Sequence, residues 1–349
     1  MSVEDRPRLV PEWAPQEAIL LAWPEASGDF SPWLEAVERC YLAIAREVTK
    51  RERLLVLVKT ATLGDRVARQ LQAEGIDLAA VDLIELPYDD VWVRDTAPLT
   101  VASAHDAYYL DFRFNGWGGK YPHAADAQLA ERLLAARRLG GAPRMPLDFV
   151  LEGGSIETDG RGTLITTSRC LLNPNRNPGR SKSEIEGLLL ETLGVERVLW
   201  LDAGYAEGDD TDAHVDTLAR FCSETVIAYT AAGNPEDSLA SELADMERQL
   251  LAFTDVDGRP YQAVPLPIPG IIRAADGQRL PATYANFLIL NEAVLVPAYG
   301  DPMDEVAQDR LAGVFQDRAI CPIDCLPLIH QYGSLHCMTM QFPRLTNFQ

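Results

Sequence analysis

The 349-residue sequence predicts a mixed α/β chain built from repeated ββαβ units. Strand-like and helix-like segments alternate from end to end, with no Gly/Ser linker, low-complexity tract or long block of like charge between them. Two or three strands separate successive long helices, where a doubly wound sheet would have one. Five strand-and-helix groups of about 60 to 70 residues can be drawn, although their sequences are not visibly alike. Length alone would allow two domains, but nothing divides the chain, and one domain over residues 1–349 is expected.

Taken in order, Ala18 to Trp23 is an apolar run of strand length. A helix follows from Ser31-Pro32, with proline in its first turn, to about Thr49. Leu54 to Val58 reads as a buried strand, 62–73 as a helix and Val81 to Leu86 as another strand. Later helices fit 124–138, 182–192, 236–252 and 303–314, and Ser181 with Glu184 makes a capping box ahead of the second of these. Strands fit 97–102, 107–112, 162–167, 197–201, 224–230, 286–290 and 293–297.

Composition narrows the function classes. The chain is 47% hydrophobic and 24% charged, an ordinary globular balance. Lys+Arg 31 against Asp+Glu 52 gives a formal charge of -21. A surface that acidic repels nucleic acid and anionic membranes and attracts small cations, although solubility alone would also explain it. The amino terminus, Met1 to Pro7, carries acids and a proline where a signal peptide needs basic and then apolar residues. No apolar run approaches the roughly 18 to 20 residues of a membrane span. Six scattered cysteines lack the density of a secreted scaffold, and Cys321 and Cys325 have no second pair for a zinc site. A cytoplasmic protein with free thiols is expected.

Four strings can carry chemistry. Asp89-Asp90-Val91-Trp92-Val93-Arg94-Asp95 could hold a cation against an aromatic face, or be a salt-bridged turn. Leu151-Glu152-Gly153-Gly154-Ser155 presents a lone carboxylate at a strand end, as an ordinary hairpin also would. In Asp210-Thr211-Asp212-Ala213-His214-Val215-Asp216, strand alternation would set Asp212, His214 and Asp216 on one face. Three ionisable groups flanked by Val215, Leu218 and Phe221 suit general acid–base work better than structure. Gly333-Ser334-Leu335-His336-Cys337-Met338-Thr339 offers either a buried structural cysteine or a nucleophile. In a strand His336 would face away from Cys337, so a distant histidine such as His214 would have to serve it.

With these strings in order, the sequence resembles the agmatine deiminase / bacterial peptidylarginine deiminase family of guanidino-modifying enzymes. The resemblance runs from Pro11-Glu12-Trp13-Ala14-Pro15-Gln16 and Leu20-Leu21-Ala22-Trp23-Pro24 through Trp92-Val93-Arg94-Asp95. It continues through Phe114-Asn115-Gly116-Trp117-Gly118-Gly119, Leu151 to Ser155 and Arg176-Asn177-Pro178. It ends with His214-Val215-Asp216, Tyr284-Ala285-Asn286-Phe287 and His336-Cys337. It implies the pentein fold, a five-bladed α/β propeller of ββαβ repeats with pseudo-fivefold symmetry. Carried over, Cys337 matches the nucleophile, His214 the general acid/base, and Glu152 the carboxylate partnering that histidine and the substrate. Asp95 and Asp216 match the pair gripping the guanidinium nitrogens. Trp92 falls beside them in the substrate site, and Asp210 falls where agmatine-specific members place an acid near the far amine.

The implied chemistry is coherent. A guanidinium is planar and delocalised, a poor electrophile that two carboxylates can orient and polarise. The Cys337 thiolate attacks its central carbon, and His214 protonates the departing ammonia. Water oriented by Glu152 then hydrolyses the amidino-cysteine to a ureido product. The surrounding carboxylates would raise the thiol's pKa, so thiolate formation depends on the bound cation or on protonated His214. No cofactor and no metal are required. Agmatine to N-carbamoylputrescine is the first choice; peptidyl or otherwise substituted arginine is the alternative. The sequence does not give the oligomeric state, and a homodimer is the assembly carried forward as an expectation.

The sequence also departs from the family. Typical agmatine deiminases read Gly-Gly-Gly-Asn-Ile-His-Cys where this chain has Tyr332-Gly333-Ser334-Leu335-His336-Cys337. They read Thr-Asn-Gly-His against Thr211-Asp212-Ala213-His214, and Ile-Gly-Pro against Thr96-Ala97-Pro98. The chemical residues survive while the loops that judge substrate differ. A manganese-dependent ureohydrolase is one rival, since Asp212-Ala213-His214-Val215-Asp216 fits its Asp-Ala-His-x-Asp motif. Its other metal-binding strings are missing, and Asp255-Val256-Asp257-Gly258 is a poor substitute. A non-catalytic binding protein on the same scaffold is the second rival.

Overall fold

Leu54-Leu55-Val56-Leu57-Val58 offers no polar side chain to turn toward water, and it lies in a strand, Arg53–Val58, buried along nearly its whole length. The computed structural model containing it describes residues 6–345. Residues 1–5, part of the segment read above for targeting signals, lie outside the described residues, as do 346–349. Parallel to this strand runs Gln16–Ala22, and the helix Leu34–Thr49 connects the two. Val37, Tyr41, Ile44 and Val48 recur at three- and four-residue spacing on that helix and are all buried. Removing each such side chain from water stabilises the fold by about 1.5–3 kcal/mol.

The same construction recurs in five separate open sheets of three or four strands. In each, an antiparallel pair is followed by a helix and then a strand parallel to the second member of the pair. Leu99–Ala102 and Ala107–Arg113 pair antiparallel, and Arg144–Val150 returns parallel after the helix Leu129–Ala135. Ile156–Thr158, Thr163–Thr167 and Arg197–Leu201 repeat this around the helix Lys182–Thr192. Ala219–Ser223, Val226–Thr230 and Gln262–Leu266 do so around Ala240–Ala252. Leu288–Ile289, Ala293–Ala298 and Ala319–Asp324 do so around Met303–Val314. The fifth sheet joins the chain's two ends: Thr339–Pro343 pairs antiparallel with Gln16–Ala22. The ββαβ unit expected from the pattern is therefore present, and among the described residues no sheet closes on itself.

Several expected elements are shorter than predicted. The helix at 124–138 is a 3-10 turn at Asp126–Gln128 followed by Leu129–Ala135, and Arg137 adopts a left-handed φ of 52° just beyond its end. The helix at 236–252 begins only at Ala240, because the Asn234 and Asp237 side chains accept from Glu236 N and Leu239 N in a preceding turn. The strand at 286–290 shrinks to Leu288–Ile289, since Asn286 is turned inward. The strands not predicted are Arg8–Leu9, Ile156–Thr158, Ala219–Ser223 and Thr339–Pro343, and also Arg144–Val150, Gln262–Leu266 and Ala319–Asp324. Each of the last three is the outer strand of its unit, largely solvent-facing, and each contains a proline, which an edge tolerates. Among the described residues no helix is long and apolar enough to cross a membrane.

This arrangement places the chemistry. The connection leaving the last strand of each sheet for the first strand of the next carries a singled-out residue in every case. Trp92 and Asp95 lie on the first, Glu152 on the second, His214 and Asp216 on the third, Asn286 on the fourth, and His336 and Cys337 on the fifth.

Candidate active site

The five connections bend sharply, and local sequence explains how. Asp95 sits in the four-residue helix Val93–Thr96, which ends before Pro98. Glu152 immediately precedes the 3-10 turn Gly153–Ser155. A Cβ at Gly153 would lie 2.2 Å from the Arg94 carbonyl oxygen, so only glycine lets these two connections touch. The 210–216 segment is not the strand expected. Asp212 and Ala213 take left-handed φ values of 66° and 69°, and Val215–Thr217 is a 3-10 turn. Asp209 accepts from Thr211 and Ala213 backbone N–H groups and holds this bend. Residues 335–338 likewise form a turn, so strand alternation does not apply to His336 and Cys337.

The functional side chains converge beside Gly154. A Cβ there would lie 2.7 Å from His214 Nδ1 and 3.1 Å from both Asp95 Oδ1 and Asp216 Oδ2. His214 Nδ1 is 3.7 Å from Asp95 Oδ1, and the Cys337 thiol reaches Asp216 Oδ2 at 3.5 Å. Asp95 is anchored by Gly154 N at 3.0 Å and Trp117 Nε1 at 2.9 Å. Three buried polar atoms here have no hydrogen-bond partner among the described residues: both ring nitrogens of His214, and Asp216 Oδ1. Buried polar groups are nearly always paired, so such a cluster marks a place where a ligand supplies the partners. A cavity of about 470 Å³ reaches Cys337 and is walled by Trp92, Trp117, Tyr121, Asp90, Asp95 and Asp210 among others.

Burial tunes these groups. Asp95 is pushed up to about 8 by burial, then by Asp216 and Glu152, against its bonds from Trp117 and Gly154. His214 is driven down to about 3, by burial first and then by Arg176 and Lys120, despite Asp216 and Asp212. The Cys337 thiol is raised well above its ordinary value by burial, Asp216 and Asp95. Asp216 moves the other way. Burial would raise it, but the hydrogen bond and charge of His336 hold it below the usual carboxylate range. Unliganded, the site therefore holds a thiol, a neutral His214 and one protonated clamp acid.

A second layer fixes the first. Asn286 Oδ1 accepts from the backbone N–H of His336 at 2.9 Å and of Cys337 at 3.2 Å, while its Nδ2 lies 3.2 Å from both Cys337 Sγ and Asp216 Oδ2. Arg176 Nε lies 2.9 and 3.0 Å from the two oxygens of Glu152, and Nη1 donates to Asp212 at 2.7 Å. Glu152 is thus gripped by an arginine rather than bonded to His214, although a carboxylate oxygen lies within 4.8 Å of the ring. Glu152 with Cys170 and His214, and Glu12 with Glu157 and His336, have spacing that could hold a metal ion. Their carboxylates are already taken by guanidinium groups, Arg176 in the first and Arg220 in the second.

Of the predicted site residues, Cys337, His214, Asp95, Asp216 and Glu152 are brought together, and Trp92 walls the cavity with its ring pressed on Gly333. Asp210 also lines the cavity but is not free. It accepts from Tyr121 Oη and pairs with Lys120 at 3.5 Å. Arg94 faces away from the cavity, 2% exposed, with Nη1 on Glu12 at 3.0 Å. Asp212 pairs with Arg176 and Lys120 instead of sharing a face with His214. Sequence reasoning gave no role to Asn286, Arg176 or Trp117, though all three stand inside the strings that carried the family resemblance. His336 was set aside on a strand geometry that is absent.

Comparison with known proteins gives the family. The family model for Porphyromonas-type peptidyl-arginine deiminases matches residues 8–343. The chain belongs to this family. It is 32% identical to the agmatine deiminase of Pseudomonas fluorescens (strain SBW25) over 358 residues, covering 95% of this chain and 94% of that one. Among solved structures, a candidate arginine deiminase from Porphyromonas gingivalis superposes with a TM-score of 0.90 at 42% identity, covering 97% of this chain and 99% of the other. The C. jejuni agmatine deiminase, solved as a cysteine-to-serine variant with substrate bound, superposes at 0.88 with 31% identity and 97% coverage of each chain.

Proposed function

We propose that this chain is a guanidino deiminase that uses Cys337 to hydrolyse agmatine to N-carbamoylputrescine and ammonia. The observation that carries the reading is the set of buried, partnerless atoms, Asp216 Oδ1 and the His214 ring nitrogens, gathered beside a thiol and a second carboxylate. A guanidinium offers a planar fork of N–H donors with one positive charge, and this set lacks both. In this reading the five ββαβ sheets are the five blades of a propeller around the site, and residues 1–349 form one catalytic domain working in the cytoplasm, where six free cysteines stay reduced.

The steps follow from the charges. Substrate enters as a cation, and Asp95 loses its proton to solvent as it pairs with the guanidinium beside Asp216. Neutral His214 then accepts the Cys337 proton, because the bound cation offsets the burial that had kept the thiol protonated. The thiolate attacks the guanidinium carbon, and protonated His214 returns the proton to the departing nitrogen, which leaves as ammonia. Water, deprotonated by His214, replaces sulfur on the amidino carbon and yields the ureido product. Each such proton transfer contributes about 10² to 10⁴ in rate.

Agmatine is favoured over free arginine by the cavity wall. Asp29, Asp90, Asp95 and Asp210 line it, with no lysine or arginine among the lining residues to meet an α-carboxylate. A second reading, substituted arginine, keeps support from the 42% identity to a candidate arginine deiminase. Agmatine, arginine and peptidyl arginine should be assayed for ammonia and ureido product with wild type and Cys337→Ser. Turnover of agmatine that vanishes in the variant is expected. Residual turnover above about a thousandth of wild type would reject Cys337, and no turnover of any guanidine by wild type would reject the activity.

A further inference from the structure

The clamp acid Asp216 has two oxygens in different situations. Oδ1 is buried and without a partner, whereas Oδ2 takes His336 Nδ1 at 2.8 Å along with Asn286 and the Cys337 thiol. The other ring nitrogen of His336, Nε2, lies 2.7 Å from Glu12 Oε1. Glu12 is itself fixed, by Arg94 Nη1 at 3.0 Å and Arg220 Nη2 at 2.5 Å. His336 is 1% exposed, and its carbonyl faces Arg94 Nε at 3.4 Å. The ring is thus wedged between two carboxylates, with its backbone N–H fixed by Asn286 at 2.9 Å.

Both ring contacts are of hydrogen-bond length, and carboxylate oxygens only accept unless they are protonated. Burial and the charges of Arg220 and Arg94 hold the His336 pKa below its ordinary value against Glu12 and Asp216, so the ring has one N–H to donate, and on Nδ1 it gives Asp216 Oδ2 its donor. The Nδ1 contact commits Oδ2 to the ring and leaves Oδ1 as the oxygen offered to the substrate. A carboxylate free to rotate about its χ2 bond would present either oxygen and lose the fixed fork geometry that a guanidinium demands.

We propose that His336, backed by Glu12, is a positioning residue that selects which oxygen of Asp216 grips the guanidinium. This rests on the deiminase reading above and adds to it a group outside the nucleophile, acid/base and clamp set. The Nδ1 contact orients the clamp, and the Nε2 contact anchors the ring. The two are separable by substitution, because asparagine places a donor near Nδ1 and glutamine places one near Nε2.

The test compares His336→Asn and His336→Gln in the full-length protein. Asparagine should keep kcat/KM for agmatine within about tenfold of wild type. Glutamine should lower it on the order of a hundredfold, mostly through KM, the scale of one charge-assisted hydrogen bond. In the Cys337→Ser background, agmatine affinity by calorimetry should fall by a like factor for glutamine and not for asparagine. Equal losses in the two variants, or a larger loss in asparagine, with wild type active, overturn the proposal and leave the deiminase reading intact. Should neither variant fold, the His336 Nδ1–H resonance of wild-type protein decides. A downfield proton that persists when agmatine is added supports the contact, and its loss on binding rejects it.

Discussion

Two acidic regions lie side by side in the interior, and the protein treats them oppositely. In one, its own guanidinium groups fill the spaces between carboxylates. Arg220 bridges Glu157 and Glu12, and Arg176 bridges Glu152 and Asp212. In the other, Asp95 and Asp216 face each other with no arginine between them, one protonated at neutral pH and the other with an oxygen left bare. The filled region teaches what the open one is for. A chain that buries guanidinium between carboxylates at least twice for structure leaves one acid pair incomplete beside the Cys337 thiol, which touches a carboxylate of that pair.

The sharpest way to break this comparison is at the open pair. Asp95→Asn keeps an acceptor for only one of the Trp117 and Gly154 bonds and removes the charge that balances the substrate. A loss of about 10³-fold or more in kcat/KM is expected, the size of an interaction made to a fully desolvated charge. The same residue sets a pH dependence in wild type. Its pKa is raised to about 8, and the cation binds the ionised form. KM should therefore fall as pH rises toward about 8 and level off above it, since the substrate guanidinium stays protonated throughout. Steady-state kinetics across pH 6 to 9 would check this, and a KM that is flat or rises over that span rejects Asp95 as the titrating clamp.

A smaller effect is expected in the filled region, and on stability more than chemistry. Arg220→Met strands Glu157 and Glu12, of which Glu157 is buried and raised to about 8 even with its partner present. Breaking a buried pair from one side costs about 3–5 kcal/mol, whereas neutralising the acid as well recovers part of it. Urea unfolding should show the single variant destabilised on that scale and Arg220→Met with Glu157→Gln less so. If the double variant is no more stable than the single, the arginine is not filling a charge-balanced space.

How much of this was legible in the sequence differs by level. The ββαβ unit could be read, because its two central strands are apolar runs and its helices have clear periods and a capping box at Ser181–Glu184. Three of the outer strands could not, because Pro146, Pro265 and Pro322 and their solvent-facing residues look like loop, whereas the proline-free Val81–Glu85 and Arg197–Leu201 could. The five chemical residues took their roles from the family resemblance, and only the 210–216 string pointed to chemistry through its own cluster of titratable groups. Their supports were not found, since Arg176, Asn286 and His336 act across gaps of 24, 51 and 120 residues, on Glu152, Cys337 and Asp216. His336 was misplaced for a local reason: alternation holds in a strand, and 335–338 is a turn.

The smallest expected effect separates this chain from the agmatine-specific pattern. The resemblance gave Asp210 the substrate's far amine, yet here that carboxylate is half-buried and already paired with Lys120 and Tyr121. A partly exposed pair of this kind contributes about 0–1 kcal/mol, so Asp210→Asn should change KM for agmatine by no more than about fivefold. Asp90 is the better placed acid. It lines the same cavity, accepts only from its neighbour Val91, and is pushed up to about 6 by burial. A cation arriving beside it would restore its charge. Asp90→Asn should therefore raise KM for agmatine more than Asp210→Asn does, while both leave turnover of a neutral-tailed alkylguanidine unchanged. The reverse order in a side-by-side KM comparison would return the far amine to Asp210.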